Sequence, residues 1–197
     1  HDIRFNDDGT RMYLPMNNQS IKTFSLSTAY DLSTASLITD NTITPSDSST
    51  SQPSIEFNTN GTKVFIEDGD EIDEYDVATA FDLSSTLTYV DSLSFSFANQ
   101  ITSMAFSDDG TVLFLLTQQS GDGDDTNDQN IYEYNLTTGF DLSTATYVEK
   151  FNVENKEYRS QGLAFNDDGD KVFIVGTHND NVNTYTLSPK YNLGNPT

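Results

Sequence analysis

Between positions 120 and 130 the sequence reads Ser-Gly-Asp-Gly-Asp-Asp-Thr-Asn-Asp-Gln-Asn, which places Asp122, Asp124, Thr126 and Asp128 on alternate positions. Calcium takes roughly six to eight oxygen ligands on flexible arms, and alternate side chains of one loop closed by a Glu at the twelfth place can supply them. Glu133 stands at that place, counting from Asp122. The sixth place, where a sharp turn wants Gly, is Asn127, and Glu74 matches Glu133 in a part of the chain with no such loop. The segment therefore reads in two ways: a Ca²⁺ site on those four side chains, or a solvated acidic loop whose Glu133 belongs to the following strand. A second acidic group, Glu67, Asp68, Asp70 and Glu71, reads as a solvated turn, its repulsion relieved by water, a cation or a basic partner.

Catalytic material is sparse. The histidines are His1 and His178, with no metal-spaced His pair and no G-x-S-x-G around any serine. The absence of Cys excludes disulfides, zinc-thiolate sites and cysteine nucleophiles. Carboxylate pairs for glycosidic cleavage stay open, because their separation is a three-dimensional quantity. The paired acids Asp7/Asp8, Asp108/Asp109 and Asp167/Asp168 resemble metal ligands, but Thr59-Asn60 replaces them in a fourth copy of the same phrase, so the turn does not depend on acid.

That phrase organises the chain. Phe5-Asn6-Asp7-Asp8-Gly9-Thr10 returns at Phe57–Thr62, Phe106–Thr111 and Phe165–Asp170, with Gly9, Gly61, Gly110 and Gly169 spaced by 52, 49 and 59 residues. Asn and Asp bond their own backbone in tight turns and Gly accepts positive φ, so each copy reads as a hairpin turn between two strands. A second phrase follows in each copy, an aromatic residue and then Asp31, Asp82, Asp141 or Asn192 before Leu; it reads as the turn from a third to a fourth strand. Each copy thus predicts four short strands, with units over 1–44, 53–97, 101–153 and 161–197, the last lacking its fourth strand. Third strands carry apolar residues on both phases, Phe24, Tyr75, Tyr134 and Tyr185 against Ile21, Ile72, Ile131 and Val182, which suits sheets covered on both faces.

A net charge of −22 and a pI near 4.1 repel nucleic acid and anionic membranes. No apolar run is long enough to span a bilayer. The sequence opens at His1 within a strand and is expected to be a processed or partial segment. Richness in Ser, Thr, Asn and Asp suits a secreted or surface protein; N-x-[ST] sequons at Asn18, Asn60 and Asn135 are what chance supplies in such a composition.

F-N-D-D-G-T-R-M-Y-L, F-N-T-N-G-T-K-V-F-I and F-N-D-D-G-D-K-V-F-I resemble the repeats of extracellular bacterial and archaeal β-propellers of the YVTN and surface-layer kind. The turn lacks the usual Pro, and the Y-D-L-S-T-A phrase lies outside that family's pattern. The resemblance implies an all-β fold, a β-propeller or a four-blade portion of one, built from four-stranded antiparallel blades. The expected role is a non-catalytic structural, adhesive or self-assembling module, in partnership with further copies or blades. The alternatives are a calcium-dependent glycan binder, using the acidic loops and Tyr158, and a propeller hydrolase or lactonase-like enzyme.

Propeller blades put both repeated phrases at one end and the idiosyncratic segments 15–20, 45–54, 67–71, 117–130, 154–161 and 176–181 at the other, where local function is expected.

Overall fold

The structure is a computed structural model describing residues 2–16, 20–42, 53–68, 71–95, 100–118, 129–154, 157, 159–177, 181–194 and 196–197. It is all-β, and among the described residues helix is confined to single 3-10 turns at Leu32–Thr34 and Leu142–Thr144. Two compact units divide the chain, His1–Ser94 and Phe95–Thr197. The first holds one antiparallel sheet of β1 (Arg4–Phe5), β2 (Arg11–Pro15), β3 (Ser20–Leu26) and β4 (Ala35–Thr42), and a second of β5 (Ile55–Phe57), β6 (Lys63–Asp68), β7 (Glu71–Val77) and β8 (Leu87–Ser94). The second unit holds a sheet of β9 (Gln100–Phe106), β10 (Val112–Gln118), β11 (Asn130–Leu136) and β12 (Ala145–Asn152). Its other sheet is formed by β13 (Ser160–Phe165), β14 (Lys171–Gly176) and β15 (Val182–Thr186). In every sheet the strands pair in chain order, which is the up-and-down blade the repeats predict.

The two repeated phrases meet in space. Gly9, Gly61, Gly110 and Gly169 have φ between 67° and 70°, and the aromatic residues of the second phrase, Tyr30, Phe81, Phe140 and Tyr191, also lie in the left-handed region, at φ 53° to 59°. Each aromatic N–H donates to the carbonyl of its blade's turn glycine, over 2.9, 2.9, 3.1 and 2.8 Å in blade order. Its ring then covers the glycine so closely that a Cβ there would lie inside the ring's van der Waals surface. Glycine is thus required twice over, by its backbone angle and by its neighbour.

A one-residue slip recurs between the third and fourth strands of the three four-stranded sheets. Thr23 faces Thr39 but Phe24 faces Leu37; Glu74 faces Asp91 but Tyr75 faces Tyr89; Glu133 faces Glu149 but Tyr134 faces Tyr147. The extra residues, Ile38, Val90 and Val148, form β-bulges that locally bend and twist the fourth strand.

Within the first unit the core is built from Tyr13, Ile21, Ile55, Phe57, Val64, Ile66, Tyr75, Val77 and Leu83. Within the second it gathers Phe114, Leu116, Ile131, Leu163, Val172, Ile174, Tyr185, Leu187 and Tyr191 among others. Ile21, Ile72 and Ile131 are buried on one phase and Leu26, Val77, Leu136 and Leu187 on the other. Val182 departs from this pattern at 65% exposure, on the last strand of the three-stranded sheet.

Gly110→Ala is expected to lower stability by about 3 kcal/mol, combining left-handed strain with displacement of Phe140. The cost is expected to shrink in a Phe140→Ala background, as read by denaturant unfolding of the four members of the cycle.

Candidate functional site

At the first turn Asn6 Oδ1 accepts the Arg11 N–H (2.8 Å), and Asp8 Oδ1 accepts both the N–H and the hydroxyl of Thr10 (2.9 and 2.5 Å). Asn58 and Asn60 do the same for Lys63 and Thr62, and Ser107 and Asp109 for Val112 and Thr111. In the fourth turn Asn166 Oδ1 accepts the Lys171 N–H and its amide donates to Asp170 Oδ1, both over 2.8 Å. In the second phrase Asp31, Asp82 and Asp141 each accept the N–H and hydroxyl of the Ser two residues on, and Asn192 accepts the Gly194 N–H. Hydrogen bonds from Thr10, Ser33, Ser84 and Thr111 hold Asp8, Asp31, Asp82 and Asp109 below the usual carboxylate range. These acids are engaged by their own turns, and Asn60 shows that a neutral oxygen fills the role equally well.

Asp122, Asp124, Thr126 and Asp128 lie outside the described residues, as do His1, His178, Tyr158 and Asn18. Among the described residues no group of three or more His, Cys, Asp or Glu is placed to hold a metal, and no helix is long and apolar enough to cross a membrane. Glu133 sits on β11 at 2% exposure, and its Oε2 accepts the Leu193 N–H at 2.8 Å, so it serves the second unit's packing. Glu74, its counterpart, is bound to Lys63 instead. The solvated turn expected over Glu67, Asp68, Asp70 and Glu71 is corrected at Glu67, while Asp70 and the side chain of Asp68 lie outside the described residues. Glu67 is a β6 residue at 2% exposure whose carboxylate accepts the Ser54 N–H (3.3 Å), because an inward strand position with a backbone donor outweighs the charge of its neighbours. Asn60 gives its amide oxygen to Thr62, and Asn135 is a β11 residue paired with Thr146.

In the second unit an open cleft of about 310 Å³ is lined by Ser107, Asp108, Asp109, Thr111, Val112, Lys190 and Tyr191. The Tyr191 hydroxyl donates to Asp108 Oδ1 (2.8 Å), and burial, with Asp108 beside it, pushes the phenol up to about 12. The phenol therefore stays protonated at neutral pH and acts as a clamp between the third and fourth sheets. Asp109 already accepts from the Ser107 hydroxyl as well as from Thr111. The cleft's carboxylates are spent on structure.

A recurring exposed feature lies on the fourth strands, although Tyr89 and Tyr147 also meet Tyr75 and Tyr134 edge-on, with ring centroids 5.8 and 5.7 Å apart. At the bulges, Leu37 and Ile38 are 53% and 44% exposed, Tyr89 and Val90 50% and 43%, and Tyr147 and Val148 51% and 40%. The same outward apolar pair thus recurs in three blades. The signal in the sequence is two adjacent apolar residues where strict alternation allows one.

No family model and no curated protein matches the sequence. Solved structures do resemble it. A protein from Lactobacillus plantarum matches with a TM-score of 0.63 and 14% identity, over 100% of this chain and 53% of that one. The periplasmic gluconolactonase of Pseudomonas aeruginosa matches with a TM-score of 0.61 and 14% identity, over 96% of this chain and 50% of that one. The Swd1 β-propeller domain of Myceliophteria thermophila matches with a TM-score of 0.57 and 12% identity, over 94% and 52%. The chain spans about half the length of these structures, and at such identity the likeness is one of fold: four blades of a β-propeller type.

Burial, and then Glu149 directly opposite, raise the Glu133 carboxyl above the ordinary glutamate value, against the Leu193 hydrogen bond that lowers it. The folded chain therefore holds this proton more tightly than the unfolded chain, and stability rises as pH falls from the raised value toward the ordinary one. Glu133→Gln keeps an acceptor for Leu193 and removes the buried charge; it is expected to gain about 1 kcal/mol at pH 7 and to flatten that pH dependence in thermal melts.

Proposed function

We propose that the chain is a non-catalytic propeller module, secreted or displayed at a cell surface, whose role is structural or adhesive and proceeds through contact between outward blade edges. The outward apolar pair repeated at Leu37-Ile38, Tyr89-Val90 and Tyr147-Val148 carries this reading. A bulge needs an extra residue but not an apolar one, and exposed apolar surface repeated at one structural position marks a contact site. The high negative charge opposes close approach of copies in dilute salt, so association depends on screening, which shortens the reach of charge to about 8 Å at physiological ionic strength. The resemblance to extracellular propeller repeats supports the same location. Calcium joins the proposal through Asp122, Asp124, Thr126 and Asp128 alone, since Glu133 is committed to Leu193.

The test is the native mass of the 197-residue chain by light scattering. Defined multiples of 21.9 kDa that grow with added NaCl are expected, and Ile38→Ser/Val90→Ser/Val148→Ser should return the chain to a monomer with its melting temperature little changed. A monomer at every salt concentration would overturn the assembly reading. Repeating the measurement in calcium and then chelator tests the acidic loop: added mass that chelator and Asp122→Ala/Asp124→Ala both remove is the expected sign of a calcium-bridged contact. The fold likeness to a gluconolactonase favours one rival, and lactone turnover lost in His178→Ala would establish it in place of assembly.

A further inference from the structure

Each unit contains the same joint between its two sheets, and in the first unit a guanidinium fills it. There the Phe81 carbonyl accepts from the Tyr13 hydroxyl (2.6 Å) and from Arg11 Nη1 (3.1 Å), and the guanidinium also lies 3.6 Å from Asp82. Aligning the repeated phrases matches Arg11 to Val112, Tyr13 to Phe114, Ala80 to Lys190, Phe81 to Tyr191 and Asp82 to Asn192. In the second unit both donors are thus replaced by apolar side chains. The Tyr191 N–H still bonds the Gly169 carbonyl as the Phe81 N–H bonds that of Gly61, so the same clasp presents the carbonyl in both joints. Among the described residues nothing donates to the Tyr191 carbonyl, although Tyr191 is only 9% exposed.

The open cleft of about 310 Å³ lies on this joint, with Val112 and Tyr191 in its lining where Arg11 and Phe81 meet in the first unit. That volume is at the small end of ligand sites. Negative charge has moved rather than gone: Asn192 is neutral where Asp82 is charged, but Asp108 and Asp109 both line the cleft. The hydrogen bonds they accept from Tyr191, Ser107 and Thr111 end on Oδ1 and come from neutral donors, which favour the ionised carboxylate and leave its charge in place. Water can bond the carbonyl but brings no charge to these two acids. Lys190 holds its ammonium 5.7 Å over the Tyr191 ring, and among the described residues no carboxylate pairs with it.

We propose that this cleft binds a guanidinium group brought by another molecule, in the place that Arg11 fills in the first unit. Its planar fork donates to the Tyr191 carbonyl and to the Asp108 and Asp109 carboxylates, the latter bonds being about twice as strong as neutral ones. The site is separate from the outward apolar pairs and stands whether or not they mediate assembly.

The experiment titrates the isotope-labelled 197-residue chain with free L-arginine and with the capped peptide acetyl-Gly-Arg-Gly-amide, following the amide resonances of Asp109, Thr111, Val112 and Tyr191 by NMR. Saturable shifts at these amides are expected, weakening as NaCl is added. The peptide with citrulline, the neutral isostere, in place of arginine should bind at least about tenfold more weakly, since it lacks the charge of the bonds to the acids. Val112→Arg, which sets a guanidinium where Arg11 stands in the other joint, should abolish binding of both probes without lowering the melting temperature. Tighter binding of free arginine, with the advantage lost in Lys190→Ala, would support the site and identify its ligand as an amino acid whose carboxylate meets Lys190. Tighter binding of the capped peptide would support it as a receptor for a protein side chain. Absence of saturable shifts with either probe, or equal binding of the citrulline peptide, would overturn the proposal even if Val112→Arg fails to fold.

Discussion

In each blade a glycine carbonyl accepts the N–H of an aromatic residue whose ring lies over that same glycine. Both partners sit in the left-handed region, which costs a side-chain-bearing residue about 1–2 kcal/mol. The arrangement persists because each strained residue relieves the other: glycine offers an uncovered backbone for the ring, and the ring buries a carbonyl that has its donor. The contact ties the hairpin of the first two strands to the turn between the last two. The end of the blade carrying the turns is thereby fixed, and the other end is left to vary.

In each unit one of these aromatic residues also serves the neighbouring sheet, Phe81 through its carbonyl and Tyr191 through its side chain. Tyr13 of β2 packs on Phe57 at 4.7 Å and its hydroxyl donates to the Phe81 carbonyl at 2.6 Å, joined by a guanidinium hydrogen bond from Arg11. In the second unit the counterparts are Phe114 and Tyr191: Phe114 packs on Phe165 at 4.6 Å, and the hydroxyl now belongs to Tyr191 and reaches back to Asp108. One phenol per contact is kept, but on opposite sides. Each solution satisfies a hydroxyl inside an apolar contact, as burial requires. Blade-to-blade packing within a unit is therefore set by a handful of aromatic side chains, and the outward faces of the fourth strands are free of that duty.

The repeats were legible because a turn is local chemistry: Asn, Asp and Gly within six residues specify their own backbone bonds, and Gly9, Gly61, Gly110 and Gly169 take the positive φ that their type suggests. What was hidden lay in relations across distance. Gly9 and Tyr30 are both visible in sequence, but nothing local says that one covers the other; the clue was that an aromatic precedes Asp31, Asp82, Asp141 and Asn192 without exception. Bulges at Ile38, Val90 and Val148 carry no glycine to announce them. Glu67 misled because charge was weighed by its acidic neighbours, whereas Ser54, distant in sequence, supplies the buried donor. Thr197 exchanges two backbone hydrogen bonds with Thr186, a pairing that neither residue's type announces.

Amide hydrogen exchange at Tyr30, Phe81, Phe140 and Tyr191 tests the central claim most directly. If the clasp between turn glycine and aromatic residue holds each blade together, these four N–H groups exchange as slowly as strand amides, although Tyr30 is 58% exposed and all four lie in turns. Exchange at the rate of the surrounding turn amides would contradict it, leaving the two hairpins of each blade joined only through their strands.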